Sequence, residues 1–483
     1  VNSYLSHIGR FSVTDHLVAL LVLAVLLVLG RQKHQRIYAN GPEQGPRLYF
    51  AGFAYKVVFS YLFALVYFFY YGGGDTIAYF SNGLIMQRLF IDNPAGFFRL
   101  FLAPSISWED YFTYFNNYTG YPEMSLSAKA NNHMVVKVST LLNIAGLNNF
   151  FATSMVFGAI AYQFVWKFYR SFCSIVPGRE KILGFVFLFF PSFVFWSSGI
   201  MKDTICVAAI AELVYVFYHG FIRRERKLRY LFSALVCMYL LFVIKPYLLL
   251  ALVPGFLFWG PFTWLRSLKS PLLRFLFFPF IILISGAGIY LFFRQGLESS
   301  SLGSTDEALR YASVVQQDLI RADQYGENFI DIGAFDPTFS GVLSKVPIAV
   351  SVGLFMPFLW QARNPVMFMS GLENTFLLLM TLYFLFRTRI YGIFVYTFAN
   401  PVLLFCITFS LATAFIVGLT TANFGALVRY KIPLLPFFIS YFVILIDTMQ
   451  RKKEEEEGDD NLVADPLQRF KNAEKRIVAR NTF

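Results

Sequence analysis

Residues 49–71 read YFAGFAYKVVFSYLFALVYFFYY and run straight into Gly72-Gly73-Gly74-Asp75. Wound as α-helix at about 1.5 Å per residue, an apolar run of that length crosses the roughly 30 Å hydrocarbon core of a bilayer, and the glycines end it abruptly. Working outward, comparable blocks recur at 15–30, 149–168, 182–199, 203–220, 229–245, 247–265, 273–293, 366–386, 391–418 and 430–447. The pattern predicts an all-α polytopic membrane protein of about eleven transmembrane helices, since the strands of a membrane barrel would be half as long and would alternate apolar with polar.

Composition agrees. Of 483 residues, 57% are hydrophobic and 14% charged, and 59 are Phe. Soluble domains are about half apolar and about a quarter charged, so neither a soluble globular chain nor a disordered one fits. The net charge of +12 is carried by short loops after alternate spans: Arg31 to Arg47, Lys167 to Lys181, Arg223 to Arg229 and Arg266 to Arg274. Such placement is a topology signal rather than a nucleic-acid footprint, and it puts these loops and the C-terminus in the cytoplasm and the N-terminus outside. Cys173, Cys206, Cys237 and Cys406 lie in or beside apolar segments, away from metal-ligand spacing, and read as small packed side chains. The first apolar block lacks a small-residue cleavage site, so it is expected to be a span and not a signal peptide.

The organisation then divides into the first two helices (1–71), a large outer loop with interfacial helices (72–148), a transmembrane bundle (149–293), an outer loop with a re-entrant helix (294–365), the last three spans (366–450) and a charged cytoplasmic tail (451–483). Within the first outer loop, residues 95–102 (AGFFRLFL) have the pattern of a helix lying along the membrane surface. Residues 346–360 are apolar but contain Pro347 and Pro357, which favours a non-spanning helix lining a cavity.

Under this topology Asp75, Lys202, Asp203, Lys245, Arg363, Glu373 and Arg429 all collect on the outer face, where ionisable groups at span ends are candidates for function. Asp75, after three glycines, reads as a general base or cation holder, or as a helix cap. Lys202-Asp203 closes a tight hairpin and reads as a phosphate-binding ammonium beside a carboxylate at a helix start, or as a topology-setting pair. Arg429 suits a phosphate bidentately, or snorkels to the interface, and Arg363 beside Trp360 invites the same choice. Glu373, two turns into a span, calls for a partner. His133 reads as a surface histidine, and no metal cluster is visible.

Four stretches carry a resemblance: GGGDTIAYF (72–80), FPSFVFWSSGIMKD (190–203), LFMPFLWQARNP (354–365) and FGALVRYKIPLLP (424–436). In these and in layout the chain resembles the divergent polytopic bacterial envelope-sugar enzymes, namely integral-membrane glycosyltransferases of the GT-C class and O-antigen or exopolysaccharide polymerases. The resemblance implies a polyprenyl-phosphate-linked sugar donor, a glycan acceptor and a place in the cytoplasmic membrane. Asp75 and Asp203 would be the catalytic acids, with a divalent cation as the one conceivable cofactor. Lys202, Arg363, Glu373 and Arg429 would bind substrate. Where GT-C enzymes pair acids in the first outer loop, Asp75 stands alone, with Asp203 or Glu123 as available partners. A polymerase would instead lean on Arg310, Arg321 and Arg363. A transporter or flippase for a lipid-linked substrate, or an accessory subunit of an envelope complex, is the alternative expectation.

Overall fold

The computed structural model describes residues 13–39, 47–225, 227–267, 338–362, 365–421 and 423–464, together with isolated positions between 273 and 336. Every regular element among them is helical. Helix α1 (Val13–Ala39) and α2 (Tyr49–Leu65, continued by a π-turn at Val66–Tyr70) open the chain. Next come α3 (Asp75–Asp92), α4 (Pro94–Leu102), α5 (Trp108–Tyr114), α6 (Met124–Ser127) and α7 (Ala130–Ala145), which meets α8 (Phe150–Ile175) at a bend of 106°. They are followed by α9 (Glu180–Gly184, with a π-turn at Phe185–Phe189), α10 (Pro191–Trp196), α11 (Lys202–Val216, with a π-turn at Phe217–Ile222), α12 (Leu228–Ile244) and α13 (Pro246–Ser267). Helices α14 (Phe339–Ser344), α15 (Val346–Phe355), α16 (Pro365–Ala399), α17 (Pro401–Thr420), α18 (Phe424–Tyr430) and α19 (Leu435–Ala464) complete the described chain.

Among the described residues seven helices are long and apolar enough to cross a membrane, or eight if the bent pair α7–α8 counts as one span. This is the layout of a multi-pass membrane protein. Where a predicted block is not one unbroken helix, the cause is local. Block 182–199 breaks at Phe190, whose extended backbone precedes Pro191, because a proline disfavours helical geometry in the residue before it. Block 229–245 is helix α12, 17 residues long; α16 bends at Arg389 (φ 55°), and block 391–418 supplies the end of α16 and, after Asn400, the span α17. Block 273–293 lies mostly outside the described residues. The stretch 72–148, expected as a loop with interfacial helices, is mostly helical. Helix α3 buries Thr76, Ile77, Tyr79, Phe80, Asn82, Gly83, Met86 and Leu89 and packs on α7.

The bundle is organised around two hubs. Helices α2 and α11 pack on α8, and α12 packs on α11; α13 and α15 pack on α17. At the α15–α17 crossing Ala349 and Gly353 face Ala414 and Gly418, and a Cβ built on Gly418 would fall 1.9 Å from the Ala349 carbonyl oxygen. Small residues spaced by four let two backbones touch, the usual route to tight association in lipid. With 10 residues, α15 is about 15 Å long, half of the bilayer core.

Broken helices expose carbonyls that lipid cannot satisfy, and here buried side chains satisfy them. The Lys56 ammonium, from the middle of α2, donates to the Val194 and Ser197 carbonyls (3.0 and 2.6 Å) at the end of α10. At the other end of that helix the Glu373 carboxylate accepts the Ser192 N–H at 3.0 Å. An acid at the start and a cation at the end complement the helix dipole. Lys431 serves α15 in the same way, donating to the Leu354 and Met356 carbonyls and to Asn374. At the end of α4, Lys137 donates to the Ala103 carbonyl at 2.6 Å, and the His133 ring meets the Leu100 carbonyl at 3.0 Å. His133 is therefore a fully buried packing residue and not a surface histidine.

Candidate functional site

The end of α2, the starts of α3, α11 and α13, and the end of α18 converge at one end of the bundle. Gly72, Gly73 and Gly74 have φ of 62°, 144° and 109°, the last two in territory that side chains rarely enter. This turn lets the chain leave α2 and begin α3 without an intervening loop. Gly74 occupies the cap position of α3 and no side chain caps the helix, so Asp75 is not the cap that its sequence context allowed. Its carboxylate is 54% exposed and faces a cleft.

The cleft has a volume of about 550 Å³. Its polar wall comprises Gly73, Gly74 and Asp75 on one side and Asn423 and Arg429 on the other, while Trp196, Val366, Met367 and Val428 make it partly apolar. Asn423 caps α18 through its side-chain oxygen, which fixes the helix that carries Arg429 in its last turn.

A chain of charges backs this wall. The Arg429 guanidinium lies 4.0 Å from Asp75 and 3.5 Å from Asp203, and 5.9 Å over the Trp196 ring. Asp203, only 1% exposed, takes Lys245 on its other oxygen at 2.5 Å. The Lys245 ammonium in turn sits 4.2 Å over the Tyr430 ring. Asp75, Asp203, Lys245 and Arg429 thus come from four distant segments into one group, and the arginine Nε is buried with no hydrogen-bond partner.

The nominated residues do not all hold the roles first assigned to them. Asp75 and Arg429 are on the cleft wall. Asp203 is closed off from the cleft with both oxygens bound to cations, so it fits a positioning carboxylate and not a catalytic one. Lys202 stands within electrostatic range of Asp75, Asp203 and Lys245 but is not on the cleft wall. Glu373 is committed to the backbone of α10 and is not part of the cleft wall. Glu123 accepts from the Ser125 hydroxyl at the start of α6 and supplies no second acid. Arg310, Arg321 and Arg363 lie outside the described residues. Sequence reasoning missed Trp196 and Tyr430, which stood inside the quoted motifs without a charge to draw notice. It also missed Lys56, whose signal was a single ammonium in the middle of an apolar block.

The site can do two things chemically. An exposed carboxylate at a partly apolar boundary can take a proton from a hydroxyl or hold a cation, and an arginine with donors to spare can receive a phosphate. Lys202, Lys245 and Arg429 outnumber Asp75 and Asp203, which biases the cluster toward an anion. Among the described residues no group of three His, Cys, Asp or Glu side chains is placed to hold a metal ion. Comparison with protein families, curated proteins and solved structures returns no match for this chain.

Proposed function

We propose that the cleft binds a phosphate-bearing, lipid-linked substrate and transfers its sugar to a glycan acceptor. The observation that carries this reading is the meeting of exposed Asp75 with Arg429 on the wall of a partly apolar cleft. The acceptor hydroxyl oxygen attacks the anomeric carbon and gives its proton to Asp75. The bond from that carbon to the phosphate oxygen breaks, and the electron pair leaves with the polyprenyl phosphate, whose charge rests on Arg429. Asp203, itself fixed by Lys245, holds the guanidinium in place. The protein would then be a glycosyltransferase or polysaccharide polymerase of the bacterial cytoplasmic membrane, with about eleven spans, its N-terminus and cleft on the outer side and its C-terminus in the cytoplasm. Acceptors and further envelope subunits would meet it at that outer side.

Asp75→Asn tests the reading. Purified protein is given a polyprenyl-phosphate-linked sugar and an acceptor glycan, and the variant is expected to lose transfer while keeping its membrane abundance. Transfer at the wild-type rate by this variant removes Asp75 from the mechanism.

A transport reading has one observation in its favour. Helices α10 and α15 are short elements held inside the bundle by buried charges, a construction that also serves substrate pathways in transporters. It requires protein in liposomes to move the lipid-linked substrate across the bilayer with no new glycosidic bond.

A further inference from the structure

Tyr67 lines the cleft, yet the proposed reaction gives it no part. It belongs to the π-turn that ends α2, where the Tyr71 N–H reaches back to the Val66 carbonyl at 3.0 Å. Such a turn takes in one extra residue, which re-aims the side chains around it, and it is frequent at functional sites. Here the Tyr67 ring lies under the glycine turn. A Cβ built on Gly74 would fall 3.5 Å from its Cε1 atom, and the Phe63 and Tyr71 rings pack on it with centroids 4.6 and 5.1 Å away. The Tyr67 carbonyl also accepts the Gly73 N–H at 3.1 Å, so ring and turn are fixed together.

The hydroxyl is the second observation. Tyr67 is only 6% exposed. The buried Tyr49, Tyr79, Tyr162 and Tyr169 each give their hydroxyl to an acceptor within the bundle. That of Tyr67 has no hydrogen-bond partner among the described residues and is not sealed from the cleft. Tyr67 stands within electrostatic range of Arg429, as Asp203 and Asp75 do. The guanidinium meets both carboxylates through Nη2 and its Nε is enclosed, which leaves Nη1 as its open donor. One charged and one neutral donor thus face the cleft without an acceptor of their own. A side chain already held by packing loses little further freedom when a ligand arrives.

We propose that the Tyr67 hydroxyl and Arg429 Nη1 form the phosphate seat of the cleft, the hydroxyl donating to a non-bridging phosphate oxygen and keeping its proton throughout. The choice of phosphate rests on the function proposed above. As the bond from the anomeric carbon to the phosphate breaks, negative charge builds on these oxygens and both hydrogen bonds strengthen. A carrier lipid, a bulk phospholipid and free phosphate share this chemistry.

Displacement of a fluorescent polyprenyl phosphate from the full chain in nanodiscs tests it, with polyprenyl phosphate, phosphatidic acid, inorganic phosphate and uncharged polyprenol as competitors. Tyr67→Phe keeps the ring and its packing, so it should melt like the wild type while binding polyprenyl phosphate about tenfold more weakly and polyprenol no differently. Its kcat for sugar transfer should fall at least tenfold as well, because the lost donor acts most on the charge that develops. Tyr70→Phe, which alters an exposed hydroxyl off the cleft wall, should match the wild type throughout. Preference for polyprenyl phosphate identifies a carrier lipid, equal displacement by phosphatidic acid a bulk phospholipid, and displacement by inorganic phosphate a free anion; each supports the seat if it weakens in Tyr67→Phe. Unchanged phosphate affinity in Tyr67→Phe, whether or not the variant melts lower, or wild-type protein that binds polyprenol as tightly as polyprenyl phosphate, overturns the inference. Transfer by Tyr67→Phe at wild-type kcat and KM sinks the tyrosine alone, whereas Tyr67-dependent phosphate binding without any transfer by the wild type sinks the transferase reading alone.

Discussion

Replacing Asp203 with Asn separates the two aspartates of the cluster. Asp203 neutralises Lys245, whose side chain is 7% exposed, and shares Arg429 with Asp75. Removing one member of a buried ion pair costs about 3–5 kcal/mol, because the partner stays behind without its counter-charge. Arg429 keeps Asp75 and Lys245 keeps only the Tyr430 ring, so the lower end of that range, about 3 kcal/mol, is expected. With about 2 cal/mol/K of unfolding entropy per residue, the melting temperature falls by ~3 °C. Asp75→Asn removes a carboxylate that is 54% exposed and 4.0 Å from its partner, a loss of at most about 1 kcal/mol. The protein carries its own reporter, since the thiols of Cys173, Cys206, Cys237 and Cys406 are buried and react with a thiol-directed fluorophore only on unfolding. Asp203→Asn should melt lower, and the double variant Asp203→Asn/Lys245→Met should recover part of the loss. The reasoning is refuted if Asp203→Asn melts within a degree of wild type, or if Asp75→Asn is destabilised as much.

Arg429→Lys should fail to restore transfer, because an ammonium cannot offer the paired donors of a guanidinium to a phosphate while still meeting Asp203; wild-type turnover would show that charge alone suffices. Lys56→Met should lower stability by about 1–3 kcal/mol by leaving the last carbonyls of α10 without a donor, read by thiol labelling under heating, and an unchanged melt would mean that they find another donor. Gly418→Val should separate α15 from α17 at a cost of about 1–3 kcal/mol or more, since the new side chain meets backbone; a cysteine pair placed across the crossing should then crosslink more slowly than in the parent, and equal rates would contradict the close approach.

Much of this was legible in the residues themselves. Block length and the scarcity of charge are enough for a helical multi-pass chain, and the glycine run before Asp75 announces an abrupt turn. Topology led to the expectation of a wider group, Asp75, Lys202, Asp203, Lys245, Arg363, Glu373 and Arg429 on one face, of which Asp75, Asp203, Lys245 and Arg429 are the ones in contact. Pairing within the group was not readable: which acid is buried depends on where Lys245 and Arg429 meet it, and no spacing along the chain encodes that. Hydropathy is also blind to helix breaks, since a window over residues 182–199 averages across the one at Phe190-Pro191. Within residues 72–148, where interfacial helices were expected, the extent of α3 was not readable, because it mixes Asn82, Gly83 and Thr76 with apolar side chains and so falls below any membrane signal while still packing as a helix.

Helix α10 has a consequence for how the protein is made. Its last carbonyls are met by Lys56 and its first free N–H by Glu373, so the segment is flanked by one partner synthesised long before it and one synthesised long after. During translation the break at Phe190 is left half satisfied until residues near 373 have left the ribosome and joined the bundle. Co-translational insertion of this region therefore has to be provisional, with the segment shielded by water or by the insertion machinery, and final burial of the hairpin waits for the C-terminal third of the chain.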